Sequence, residues 1–227
     1  MLFRSGAAQS VVQNVIADFK RDTGNDVAAE FGAVGAMQAR ALRGAPVDVI
    51  VLTDVMIDAL ITSGFVAAGR FDLGKVGTGV AVHAGVAKPD VSTADSLRTA
   101  LRTAGAITCP DPAVATAGKI VMACLEKLGI AAEVKERLKF FPNGNAAMNW
   151  MAAHGDTGTI GITQNTEILP VMGVTYVGPL PDAFQAKATY SAGCVAGSHC
   201  RAAASDFILR LTSPAAKPML AAAGYEF

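Results

Sequence analysis

The chain has 227 residues, which suits one large or two modest globular domains; hydrophobic residues make up 52% and charged residues 17%, so a sizeable core is expected and disorder as the main state is excluded. Lysine plus arginine is 19 and aspartate plus glutamate is 19, a formal net charge of zero. That balance gives no electrostatic footprint for nucleic acid or an anionic membrane, so the attraction for any anionic ligand must be local.

In chain order, short apolar runs alternate with helical patterns, the signature of an α/β fold. Leu2-Phe3-Arg4 reads as a strand; Val11, Val12, Val15, Ile16 and Phe19 then follow a helical period that stops at Thr23-Gly24-Asn25. Val27 to Phe31 is a strand, Ala36 to Leu42 a helix, and Val47 to Leu52 a continuous apolar run of the kind expected of a buried parallel strand. Asp54 is expected to cap a helix carrying Met56, Leu60 and Ile61, closed by Gly64. Val76 to Val82 reads as one long strand, and Ser92-Thr93-Ala94-Asp95 as a helix start. Ala106 to Thr108 is a strand followed by a turn at Cys109-Pro110-Asp111-Pro112, then a long helix from about Ala117 to Leu128. Leu138 to Phe141, a helix near Ala146 to Ala153, Thr159 to Ile162, and Val174 to Val177 continue the alternation. A strand from Thr189 to Ala196 and helices near Ala203 to Leu211 and Pro214 to Ala222 close the chain.

No low-complexity linker separates these parts. Two lobes joined by crossing strands are therefore expected, with the long strands at Val76–Val82 and Thr189–Ala196 as the crossovers. This places residues 1–78 plus 189–227 in the first lobe and 79–188 in the second. No apolar stretch is long enough to insert into a membrane. Met1-Leu2-Phe3-Arg4 runs straight into the first strand, so a periplasmic location is expected if a leader has been removed upstream, and a cytoplasmic one otherwise. The four cysteines, Cys109, Cys124, Cys194 and Cys200, show no C-x-x-C and no histidine at ligand spacing. No metal and no cofactor is expected. Buried free thiols are the expectation, with a short Cys194–Cys200 bridge as the alternative.

Three segments carry a family resemblance: Phe19-Lys20-Arg21-Asp22-Thr23-Gly24, Glu30-Phe31-Gly32-Ala33-Val34-Gly35-Ala36, and Gly44-Ala45-Pro46-Val47-Asp48-Val49. Together they resemble the first lobe of molybdate-type periplasmic binding proteins. Asp111-Pro112 with Thr116-Ala117-Gly118, Gly161-Ile162-Thr163-Gln164, and Leu211-Thr212-Ser213-Pro214 with Gly224 are similar to later parts of that family, in order along nearly the whole chain. The resemblance implies the type 2 periplasmic-binding-protein fold, with two α/β lobes, a hinge of crossing strands, and a small anion bound in the cleft between the lobes. A membrane permease of an ABC importer is the implied partner.

The strand-end segments agree with that reading on physical grounds. In open α/β sheets ligands sit beyond the carboxyl ends of strands, and a helix N-terminus there offers free N–H groups and a positive dipole end. The candidate ligand-binding residues are Arg4, Ser5, Gly6, Ala7, Gly32, Val34, Thr116 and Gln164. Where the molybdate-type proteins carry two serine hydroxyls and a tyrosine, this chain has Ala7, Val34 and Gln164. Each unmade bond to a buried oxyanion costs about 1–3 kcal/mol. Arg4 at a strand end is able to hold a carboxylate through two parallel bonds. The expected ligand is therefore a small di- or tricarboxylate. A divergent branch resembling aconitate isomerases gives the alternative, proton transfer on a tricarboxylate, for which His83, Glu167 and Cys109 are the candidate bases. For Asp54, His154, His199 and Trp150 the structural readings are preferred: a cap, two solvated histidines and a core aromatic.

Overall fold

The computed structural model describes the chain apart from residues 6–8 and apart from the side chains of residues 3–5 and 10. It divides into two compact units, residues 1–76 with 188–227 and residues 77–187.

The first unit is built on a six-stranded sheet. Strands β1 (Leu2–Ser5), β2 (Ala29–Gly32) and β3 (Val49–Thr53) are parallel, with β1 in the middle. Strand β10 (Ala188–Cys194) adds antiparallel to β3, then β4 (Phe71–Val76) and the short β11 (Tyr225–Glu226) complete the order. Helices α1 (Gln9–Thr23), α2 (Val34–Leu42) and α3 (Asp54–Thr62) each follow one of the parallel strands. Every residue of β3 is buried, as its unbroken apolar run requires of a strand covered on both faces. Val11, Val12, Val15 and Phe19 recur at helical spacing and turn one face of α1 into the core. There Phe19 meets Phe207 of α9 (Arg201–Thr212) edge to face, ring centroids 5.3 Å apart at 88°.

The second unit repeats the plan. Its sheet runs β7-β6-β8-β5-β9, with β6 (Ala106–Pro110), β7 (Leu138–Phe141) and β8 (Thr159–Gln164) parallel. Strand β5 (Thr78–His83) lies antiparallel to both β8 and β9 (Val174–Pro179). Read from β2 in the first unit and from β7 in the second, the strand order is the same, so β1 corresponds to β6, β2 to β7 and β3 to β8. Helices α5 (Thr116–Lys127), α7 (Gly144–His154) and the single turn α8 (Asn165–Ile168) follow the three parallel strands. One face of the sheet is covered by α4 (Ala94–Thr103) and α5 through Leu97, Leu101, Val121 and Leu125. The other is covered by α7 through Ala147, Met148 and Met151. The short α6 (Ala131–Val134) and α10 (Lys217–Ala222) fill connections.

Several boundaries differ from the sequence reading. The run 76–82 is two strands in two sheets, β4 and β5, broken at Gly77. The expected strand 189–196 is β10 and pairs wholly within the first sheet. Cys109 and Pro110 belong to β6 rather than to a turn; Pro110 is the strand's last residue, where a missing N–H is tolerated. Strands β4 and β11 were not anticipated: β4 reads Phe-Asp-Leu-Gly-Lys-Val, with too little apolar alternation to signal a strand, and β11 has two residues.

The Phe19–Phe207 contact gives a direct test of the first core. Phe207→Ala is expected to cost about 3–5 kcal/mol. Urea unfolding should show this as a lowered midpoint with an unchanged slope.

Candidate functional site

Parallel pairing sets the strand ends side by side. In the first unit Arg4 is opposite Phe31 and Val51, and Ser5 is opposite Gly32. The fold thus brings three of the expected residues, Arg4, Ser5 and Gly32, together at the carboxyl edge of the sheet. Gly6 and Ala7 lie outside the described residues, as do the side chains of Arg4 and Ser5. Val34 opens α2, but its side chain is 5% exposed and belongs to the core, so what it offers at the surface of the helix start is its N–H.

In the second unit β6 and β8 run in register from Ala106 opposite Thr159 to Thr108 opposite Gly161. Continuing that register carries the loop after β6 and the end of β8 to the same edge. Thr116, half-buried, is the first residue of α5; Gln164, buried, ends β8 and precedes α8. The Asp111 carboxylate accepts the Ala113 N–H at 2.8 Å and shapes the intervening loop. Gly118 has a structural task there. A Cβ at this position would lie 2.7 Å from the Pro112 nitrogen and 2.8 Å from the Asp111 carbonyl carbon, so glycine lets α5 sit against the loop.

The helix starts fall into two kinds. Helix α4 is capped by Thr93, whose hydroxyl accepts the Ser96 N–H at 3.1 Å, and α7 by Asn143, whose side chain accepts the Ala146 N–H at 2.8 Å. Helix α3 carries its own anion: the Asp54 carboxylate accepts the Val55 N–H at 2.8 Å, with Asp54 as the first helical residue and Thr53 as the cap. By contrast α2 and α5 begin on Ala33 and Ala115, which have no side-chain oxygen to give, and α9 begins on Cys200 without a side-chain cap; of these three, α2 and α5 follow parallel strands. The N–H groups of a first turn have no acceptor within their own helix and are able to donate to an external anion. Helix α8, although it follows β8, is one turn of four residues and brings little dipole of its own.

Of the three candidate bases, Glu167 lies beside Gln164, held by contacts that the sequence reading did not include. It is 4% exposed. Its Oε2 accepts a hydrogen bond from Thr163 Oγ1 at 2.6 Å, and its Oε1 accepts the Gly144 N–H at 3.2 Å. Burial pushes its carboxyl above the usual glutamate range, with the Thr163 hydroxyl and the Gly144 N–H pulling the other way. The sequence did hold a signal: Gln164-Asn165-Thr166-Glu167 places a glutamate three residues after a cap position, the spacing of half a capping box.

The other candidate bases are placed differently. Cys109 is buried on β6, and burial pushes its thiol up to about 12, with Asp111 adding to the effect. His83 ends β5 far from Thr78 and Gln164, its ring nitrogens beside the Ala84 and Ala152 carbonyls at 2.9 and 3.3 Å. Trp150 is half-buried rather than central: His154 stacks on it at 5.4 Å and the Lys139 ammonium lies 4.4 Å from its ring centre. His154 is exposed, as expected, and ends α7 as a partner of that ring.

All four cysteines are free, three of them buried. Among the described residues no His, Cys, Asp and Glu cluster is able to hold a metal ion, and no helix is long and apolar enough to cross a membrane.

Comparison with known proteins follows the same lines. Residues 2–226 match the family described as bacterial extracellular solute-binding protein. The chain is 28% identical over 215 residues to an aconitate isomerase from Pseudomonas sp, covering 92% of this chain and 80% of that protein. It superposes on the periplasmic molybdate-binding protein of Azotobacter vinelandii with a TM-score of 0.82 at 21% identity, covering 100% of this chain and 98% of that one. The sulfate-binding protein SubI of Mycobacterium tuberculosis gives a TM-score of 0.75 at 20% identity, covering 99% of this chain and 85% of that one. These likenesses show the type 2 periplasmic-binding-protein fold.

The thiols give a check on the site's local structure. Cys200 is the exposed cysteine. A thiol reagent at pH 8 should modify one thiol quickly, and the remaining three only on unfolding. Fast modification of Cys109 would contradict its place in the sheet.

Proposed function

Because the chain belongs to the bacterial extracellular solute-binding protein family, we propose that it binds a small di- or tricarboxylate and passes it to the membrane permease of an ABC importer. The strand-end loops of both units are the proposed holders, in the mode the family resemblance implies. The two units act as the two lobes, and the work is done outside the cytoplasmic membrane.

The observation that carries this reading is the nature of the donors at the helix starts. Helix α2 begins at Val34 with its side chain in the core, and both α2 and α5 start on alanine. A tetrahedral oxyanion stripped of water needs its oxygens met by many donors, and missing ones are costly. A longer organic acid needs less at each end. One carboxylate suits the N–H groups of a helix start, and another suits Arg4, whose guanidinium matches a carboxylate with two parallel bonds. Thr116 and Gln164 supply neutral polar contacts in this reading, and Ser5, Gly6, Ala7, Gly32 and Val34 supply backbone.

A second reading is isomerisation of a tricarboxylate such as aconitate by proton transfer, favoured by the sequence likeness to aconitate isomerase along most of the chain. It requires a group able to take a proton beside a bound carboxylate. A thiol held at about 12 is a poor base near neutral pH, which sets Cys109 aside. Glu167 is the carboxyl nearest Gln164 in the chain and is raised in the right direction.

Thermal-shift screening tests the ligand class. Citrate, cis- and trans-aconitate and malate are expected to raise the melting temperature, since a ligand at a hundred times its dissociation constant adds about 2.7 kcal/mol. Molybdate, tungstate and sulfate should leave it unchanged; the reverse pattern would overturn the carboxylate reading. Arg4→Ala should weaken carboxylate binding about tenfold or more, the value of a charge-assisted pair. Incubation with cis- or trans-aconitate followed by chromatography separates the two readings. Interconversion establishes the isomerase, and tight binding without conversion leaves the transport function.

A further inference from the structure

Three chain segments meet on the Glu167 carboxylate. Thr163, its hydroxyl donor, immediately precedes Gln164 on β8. Gly144, its N–H donor, is the first residue of α7. Gln164 is the cap of α8, and its backbone N–H also acts on the carboxylate, as in the reach of a third-position glutamate back to its cap. The space is closed: a Cβ on Gly144 would overlap both Thr163 Oγ1 and Glu167 Oε2. In the repeated plan of the two sheets α7 corresponds to α2. The start that stands open to an external anion in the first unit is thus occupied in the second by the protein's own carboxylate.

The groups that act most on Glu167 are neutral donors: the Thr163 hydroxyl and the N–H groups of Gly144, Asn145 and Gln164. The titratable side chains on the elements packed around it are His154, at the other end of α7, His83, at the other end of β5, and Tyr176 on β9. A second negative charge arriving beside Gln164 would meet this buried carboxylate at low effective dielectric, where like charges repel strongly.

We propose that Glu167 is the positioning residue of the anion site: it fixes the turn that presents Gln164, and it takes up a proton when the ligand binds. This rests on Gln164 contacting the ligand. The sign follows from linkage. A bound anion favours the neutral carboxyl, so the proton affinity of Glu167 rises on binding, and ligand affinity falls as pH rises through the range in which the free protein loses that proton.

The experiment compares the natural chain with Glu167→Gln, which keeps shape and neutral hydrogen bonding, and with Glu167→Ala, which removes both. Affinity for trans-aconitate, and for molybdate as a second probe, is measured by calorimetry from pH 5 to pH 8 in buffers of different ionisation enthalpy. Expected for the natural chain are proton uptake on binding and affinity about threefold or more weaker at pH 8 than at pH 5. Glu167→Gln should bind without that proton, with a flatter pH profile and tighter binding at pH 8. Glu167→Ala should bind more weakly at every pH, because the turn is no longer held. Identical pH profiles and proton counts for the natural chain and Glu167→Gln would overturn the proposal. If neither probe binds any of the proteins, the anion reading fails and the proton linkage with it. The unliganded proteins still decide the positioning role: the stability of the natural chain relative to Glu167→Gln should fall as pH rises from 4 to 8, because a raised carboxyl stabilises the fold only while protonated. A constant difference would overturn that part.

Discussion

Parallel strands buried on both faces must exchange all their backbone hydrogen bonds with neighbours, and each must be joined to the next by a helix that returns over the sheet. This constraint governs both units. It forces every parallel strand to end in a loop that becomes a helix start, and it puts those starts along one edge of each sheet. Ser5 opposite Gly32, and β6 in register with β8, are direct results. The repeated order, β2-β1-β3-β10-β4 in one unit and β7-β6-β8-β5-β9 in the other, means the same problem is solved twice with different residues.

The differences between the two solutions carry the chemistry. Each helix start has N–H groups that the helix itself cannot satisfy. Thr93 and Asn143 settle this with side-chain caps, and Asp54 and Glu167 with carboxylates. Alanine caps at α2 and α5 supply no side-chain acceptor. Zero net charge is compatible with the proposed anionic ligand, since the N–H groups of a helix start provide a local attraction.

Much of the fold was legible because its signals are strong and local. The unbroken run Val47 to Leu52 marked a buried strand, and the helical spacing of Val11, Val12, Val15 and Phe19 marked α1 and the face it buries. The alternation of the two patterns gave the α/β class, and the ordered motifs gave the family. Strand β4 escaped because its pairing with β10 and β11 is decided by distant partners and not by its own composition. The break at Gly77 escaped for a related reason: an apolar run looks the same whether one sheet or two receive it. In the site, Gly32 and Val34 were legible as a strand-to-helix passage, whereas the burial of Val34 depends on the core beneath it. Glu167 was legible as one candidate base among three, and its capping-box spacing after Gln164 was the local signal for its placement. Its importance comes from Gly144, 23 residues earlier in the chain, which no local pattern connects to it.

The central claim of the proposed function is that the N–H groups of the α2 and α5 starts, which follow parallel strands and lack side-chain caps, and not those of the capped α4 and α7 starts, receive the anion. Amide resonances in a titration of the labelled protein with trans-aconitate test it most directly. The account predicts shifts at Val34 and Gly35 of α2 and at Thr116, Ala117 and Gly118 of α5, while Ser96 and Ala146, already bonded to Thr93 and Asn143, stay in place. Shifts concentrated at Ser96 or Ala146, or saturable binding that leaves the α2 and α5 starts unmoved, would contradict it.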